Sequence, residues 1–163
     1  MRIVSNTGPI IGLAKIGQVE LLKSLAQEVF IPPFVQKELF GKIGSETEHI
    51  EKGLDEFIKV MPLDASMPSP DRTFAELDEG ERQAVALAFA LGEDVLLLMD
   101  DYAGRQAARR LKINVTGLVG LLLLAKEKGL VEKVRSLIEE LRKAGYWLSD
   151  EIVAMAIKLA GEG

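Results

Sequence analysis

Five residues of this chain could do chemistry together: Asn6, Glu38, Glu81, Asp100 and Asp101. Four are carboxylates and the fifth is their amide isostere, and each falls at the end of a short apolar run or next to a helical segment. Asp100 and Asp101 close the run Val95-Leu96-Leu97-Leu98-Met99, which reads as a strand buried on both faces in the middle of a parallel sheet. In open α/β sheets the crevice outside the carboxyl ends of the strands is where ligands sit. Oxygen donors converging there suit hard divalent cations such as Mg²⁺ or Mn²⁺, which take one or two protein carboxylates together with waters and substrate phosphate. Such ions activate water and stabilise the attacking and leaving oxygens of a phosphodiester displacement. The rest of the chain offers no rival chemistry, because it has no cysteine and its one histidine, His49, sits in a polar helix without an evident partner.

Each of these residues also has a purely structural reading. Asp78-Glu79-Gly80-Glu81 matches a capping box, in which the side chain at the third helical position bonds back to the cap residue. Asp100 and Asp101 precede a helix that either could cap, although two adjacent acids exceed what a cap requires. Glu38 taken alone is a solvated helix residue. Beyond the paired acids, Arg105, Arg109 and Lys112 recur at i, i+4 and i+7, as a strip for RNA phosphates or as an ordinary charged outer face. The Leu118–Leu124 stripe is most simply core, and its excess of leucine would also serve a homodimer contact or a groove for a partner helix. Tyr146 and Trp147 either help build that surface or seal the core.

Positioning these groups requires an alternation of strands and helices. Arg2 to Ser5 reads as a first strand ending in the turn-forming cluster Asn6-Thr7-Gly8-Pro9. Short helices are expected over Pro9–Lys15 and Val19–Leu25, then a second strand at Val29–Ile31, closed by Pro32-Pro33 at the start of the helix that carries Glu38. A polar helix from Glu46 to Phe57 leads to an edge strand, Ile58–Met61, and to a proline-containing loop from Pro62 to Thr73 of the kind that forms a rim or lid. A helix over Gly80–Leu91, the buried strand, a helix over Tyr102–Leu111 and a strand at Ile113–Thr116 follow. Helices over Gly117–Lys128, Val131–Ala144 and Ser149–Ala160 end the chain, each stopping near a glycine. The pattern implies an α/β layered domain with a parallel sheet.

At 163 residues the chain fits one domain with a real core, here a core of residues 1–130 and a C-terminal helical extension of residues 131–160. The formal charge of −5 and pI near 5.1 argue against a protein that coats nucleic acid with its whole surface, while acids gathered in one metal pocket would themselves lower the net charge. Lack of cysteine rules out a disulfide framework and thiol nucleophiles and fits a reducing cytoplasm. The opening residues are too short an apolar stretch for a secretory signal, and the longest later run, Leu118 to Ala125, is far below a membrane span. A phospho-accepting receiver-like domain would also use clustered aspartates. It fits poorly, because the paired acids follow a late strand and no lysine stands at a matching strand end.

The order and spacing of several motifs resemble a known family. Val-Ser-Asn-Thr-Gly-Pro at 4–9, Ile-Pro-Pro-Phe-Val-Gln-Lys-Glu-Leu at 31–39, Asp-Glu-Gly-Glu-Arg-Gln-Ala-Val-Ala-Leu-Ala at 78–88 and Leu-Leu-Met-Asp-Asp at 97–101, before Ala107-Ala108-Arg109-Arg110, look like the PIN domain. More narrowly they are similar to its VapC-like branch, found in prokaryotic toxin–antitoxin pairs. The resemblance runs through Val115-Thr116-Gly117 and the helix after it. It implies a three-layer α/β domain with a central parallel sheet flanked by helices, with extra C-terminal helices. It also implies a Mg²⁺- or Mn²⁺-dependent endoribonuclease acting on single-stranded or structured RNA, a cytoplasmic location, a homodimer and an antitoxin protein as partner. Carried over residue by residue, the acidic quartet falls on Asn6, Glu38, Glu81 and Asp101, with Asp100 beside the last as a further metal ligand. The family more usually has aspartate where this chain has Asn6. An amide oxygen ligates a metal without adding negative charge, so a catalytically weak or inactive module that binds RNA or protein is the alternative reading.

Overall fold

A computed structural model describes residues 1–41, 44, 46–64 and 76–163. Most of the loop expected from Pro62 to Thr73, and three residues of the break at 41–45, lie outside the described residues. Strand β1 (Arg2–Ser5) is followed by α1 (Thr7–Lys15) and α2 (Glu20–Leu25), β2 (Glu28–Ile31) by α3 (Pro33–Phe40) and α4 (Thr47–Glu56), and β3 (Ile58–Val60) by α5 (Glu79–Leu91). Then come β4 (Val95–Leu98), α6 (Tyr102–Arg110), β5 (Asn114–Thr116), α7 (Leu118–Glu127), α8 (Val134–Lys143) and α9 (Asp150–Leu159). The strands form one all-parallel sheet in the order β3-β2-β1-β4-β5, flanked by helices as a three-layer α/β fold.

Alternation along the strands explains the layers, because successive side chains of a strand point to opposite faces. Ile3, Val29, Ile31 and Leu98 enter one buried cluster with α1, α3, α7 and α8; Val4, Phe30, Val95, Leu97 and Met99 enter a second with α5 and α6. Leucine and valine on both faces of β4 are therefore what a strand covered on two sides requires. The first connection runs outward from β1 to β2 and β3, and the chain then returns to place β4 on the other side of β1. The order reverses between β1 and β4, so a topological switch point lies outside their carboxyl ends. That is where Asn6, Asp100 and Asp101 follow their strands.

Two boundaries differ from the sequence expectation by more than one residue. Helix α1 already begins at Thr7, with Asn6 in the cap position, so the Asn6–Pro9 cluster is mostly the first turn of a helix. Helix α8 begins at Val134 instead of Val131, because its first amides find their acceptor far away in sequence: the Glu162 carboxylate accepts from Val134 N at 2.7 Å and Arg135 N at 2.9 Å, and Lys126 Nζ donates to it at 2.7 Å. The turns after α7, α8 and α9 use Gly129, Gly145 and Gly161 at φ of +75°, +91° and +72°, the left-handed region that glycine enters without strain. No described helix is long and apolar enough to cross a membrane.

Candidate metal centre

The carboxyl end of β1 is joined to β4 by a hydrogen bond from Asn6 N to Leu98 O at 3.0 Å, which sets Asn6 beside the Asp100–Asp101 tip. Thr7, the next residue, is buried, and its hydroxyl donates to Glu38 Oε1 at 2.7 Å, drawing the end of α3 to the start of α1. The first turn of α5 closes on the same point at Gly80. A Cβ there would stand 2.6 Å from Glu38 Oε1 and 3.5 Å from Asn6 Oδ1, so the Glu38 carboxylate comes this close to α5 because residue 80 has no side chain. A bond from Phe34 N to Gln83 Oε1 at 3.1 Å holds α3 to α5 one turn further along.

Glu81 takes up its expected capping role in geometry. The capping box is present: Asp78 Oδ1 accepts from Glu81 N at 2.8 Å, and Glu81 Oε1 accepts from Asp78 N at 3.1 Å. Burial pushes the Glu81 carboxyl above its ordinary range, against the lowering effect of the Asp78 amide, and the negative charges of Asp101 and Asp78 push it further up. Glu81 and Asp101 thus lie within each other's field. Asp101 Oδ2 caps α6 by accepting from Gly104 N at 2.8 Å.

Asp100 stands apart from this group. Consecutive residues leaving a strand face opposite sides, and Asp100 turns toward α7, where its Oδ1 accepts from Leu118 N at 2.8 Å. Burial raises its pKa, and the Leu118 amide and the Arg105 charge work against that. Both acids therefore cap helices, but different ones, and Asp100 caps a helix that begins beyond the next strand. Among the described residues no three His, Asp or Glu side chains form a ready-made metal cage. The structure instead sets the Glu38 and Asn6 oxygens against Gly80 in the first turn of α5, holds Glu81 in that same turn within the field of Asp101, and turns Asp100 toward α7.

The expected basic strip is shorter than its spacing suggests. Arg105 is half-buried beside Asp100, while Arg109 is exposed in the last turn of α6. Lys112 lies beyond the helix at φ +60° and lines a recess with Glu93 and Asp94 at the opposite end of the sheet. Helix α6 runs away from the acids, so successive turns carry its basic residues farther from them. Thr7 and Gly80 are the positions shaping this candidate site that sequence reasoning passed over. Glycine inside the first turn of a helix, flanked by acids, was the readable signal for Gly80; Thr7 had none.

A family model described as a PIN domain matches residues 2–162 of the chain. The chain belongs to the PIN-domain family. A solved PilT N-terminus domain protein from the hyperthermophilic archaeon Sulfolobus solfataricus P2 is similar to this PIN domain with a TM-score of 0.57 and 20% identity, over 82% of this chain and 96% of that one; at that identity the likeness concerns the fold. No curated protein matches. PIN domains are typically nucleases and generally use divalent metal ions. The donor set of this PIN domain fits such an ion in kind: Asn6, Glu38, Glu81 and Asp101 each offer a hard side-chain oxygen.

Proposed function

We propose that this PIN domain is a Mg²⁺- or Mn²⁺-dependent endoribonuclease in which Asn6, Glu38, Glu81 and Asp101 hold the ion. The observation that carries this reading is the convergence at Gly80 of Glu38 and Asn6, from α3 and β1, on the helix turn that bears Glu81. One oxygen of each carboxylate is already tethered, Glu38 by Thr7, Glu81 by the Asp78 amide and Asp101 by the Gly104 amide. The second oxygen of each is the one offered to the ion, and the tethers spare the ordering cost at the moment of binding. A bound ion would supply Lewis acidity and an activated water for cleavage of an RNA phosphodiester. Repulsion between Glu81 and Asp101 is relieved when a cation is present, so the field that raises Glu81 favours binding. Asp100 serves the tip from its other face by fixing α7, and the half-buried Arg105 and exposed Arg109 offer positive charge to the RNA backbone.

The VapC-like motifs support a role as the toxin of a toxin–antitoxin pair in the cytoplasm, as a homodimer with an antitoxin as second partner. Asn6 favours a second reading, a PIN module that binds RNA or protein without cutting, since its neutral oxygen leaves the site one charge short. Cleavage of single-stranded RNA by the native chain and by Asn6→Asp, each with Mg²⁺ and with Mn²⁺, separates the two. Native activity that rises at limiting metal in Asn6→Asp supports the nuclease. Activity confined to Asn6→Asp supports the binding module and overturns the first reading.

A further inference from the structure

The first turn of α6, helices α7 and α9 and the turn between α8 and α9 enclose a recess of about 490 Å³ whose lining includes Asp100, Tyr102, Arg105, Tyr146, Trp147 and Met155. We propose that this recess seats an unpaired base of single-stranded RNA, stacked against Trp147 and Tyr102 and met at its edge by Asp100 and Arg105. The proposal rests on the nuclease reading for the nature of the strand, and it adds a binding site on the other face of the Asp100–Asp101 tip.

The aromatics give the first argument. Tyr146 turns inward, where its ring lies against Gly12 and α7, and Trp147, the following residue, turns outward and is 80% exposed. Tyr102, directly after Asp101, is 68% exposed. Two large flat faces are thus presented to solvent around one recess and do no packing that the fold requires. Every nucleobase offers a matching π-face, and unstacked RNA bases are held on aromatic side chains and arginine planes.

The polar end of the recess selects among occupants. Asp100 Oδ2 and Arg105 Nε are buried with no hydrogen-bond partner among the described residues, an acceptor and a donor close to each other. Buried polar groups are normally paired, so this end calls for a ligand that brings a donor and an acceptor of its own. An aliphatic chain or an apolar face of a second copy would leave both groups orphaned, whereas a base combines apolar faces with a hydrogen-bonding edge. Gly117 lets the two groups pack this close: a Cβ there would lie 2.7 Å from Asp100 Oδ1 and 3.0 Å from Arg105 Nη1. Asp100 and Asp101 are adjacent, so a base seated in the recess delivers its strand to the tip that carries Asp101.

Trp147 is the chain's single tryptophan, and its fluorescence reports on the recess directly. The test titrates the native chain with a hexameric oligoadenylate RNA in EDTA, where cleavage is suppressed. Saturable quenching of Trp147 is expected. Tyr102→Ala should weaken binding on the order of tenfold, and Tyr102→Phe should keep it, because stacking needs the ring and not the hydroxyl. Emission unaltered by RNA, native affinity in Tyr102→Ala, or a change that follows protein concentration alone and so marks a second copy in the recess would each overturn the seat. The outcomes remain separable from the nuclease reading: RNA that quenches Trp147 and is not cut with Mn²⁺ removes only the nuclease, and RNA that is cut without quenching removes only the seat.

Discussion

Replacing Gly80 by alanine tests the convergence on which the metal site depends. The new Cβ would lie 2.6 Å from Glu38 Oε1, and ordinary contact begins near 3.4 Å, so the carboxylate must retreat by about 0.8 Å. That retreat stretches the 2.7 Å bond from Thr7 to the limit of hydrogen bonding. Losing a bond to a charged, half-buried group costs about 1.5–3 kcal/mol when no water replaces it, and alanine in a helix recovers about 0.5–1 kcal/mol. The net destabilisation is about 0.5–2.5 kcal/mol, a fall in Tm of at most about 10 °C for a chain of this size. Activity is far more sensitive, since a ligand misplaced by about 1 Å costs on the order of 100-fold in rate. Gly8 is a partial internal control: it holds the same second helical position in α1, and a Cβ added there would meet nothing within 4 Å beyond its chain neighbours, but the following Pro9 disfavours a helical alanine, so Gly8→Ala should gain less than the full helix term. Thermal unfolding of both variants and Mn²⁺-dependent RNA cleavage by Gly80→Ala are the measurements. Cleavage by a folded Gly80→Ala at the native rate would refute the claim that Glu38 and Asn6 act at this point.

Three further outcomes follow from the contacts. Glu81→Gln should keep its capping box, which tolerates glutamine, with Tm within a few degrees of native, and should lose metal-dependent cleavage; full activity removes Glu81 from the site. Glu162 feels burial, which raises its pKa, but Lys126 and the Arg135 and Val134 amides outweigh this and hold it at about 2, below the ordinary 4.5. A depressed acid stabilises the fold above its unfolded pKa and loses that contribution as pH falls toward the folded value. Glu162→Gln should therefore melt lower than native at neutral pH, with the gap closing between pH 4.5 and about 2; a gap independent of pH across that window contradicts the clamp. Gly104→Ala drives a Cβ into the Met99 sulfur beneath α6 and should cost about 1–3 kcal/mol, and adding Met99→Ala should give less than the sum of the two losses in chemical denaturation.

Much of the fold was legible along the chain because its signals are local. Runs of leucine and valine marked β4 as covered on both faces, Asp78 to Glu81 wrote out its own cap, and Gly129, Gly145 and Gly161 closed their helices. The acidic set could be picked out and expected in one crevice, yet which of its members share a face could not be read. Adjacent side chains after a strand diverge, which is why Asp101 joins Glu81 while Asp100 crosses to α7; that rule was available, but which face held the other acids depended on strand order.

The sequence by itself determined where strands and helices form, since hydrophobic period, caps and turn residues act within a few positions of one another. Only the tertiary structure decided that β4 lies beside β1, that Gly80 brings α5 against Asn6 and Glu38, that Thr7 holds Glu38, and that Glu162 starts α8. Those contacts join residues tens of positions apart, and they arise from burying two apolar layers on one sheet, a condition on the whole chain that no local pattern encodes.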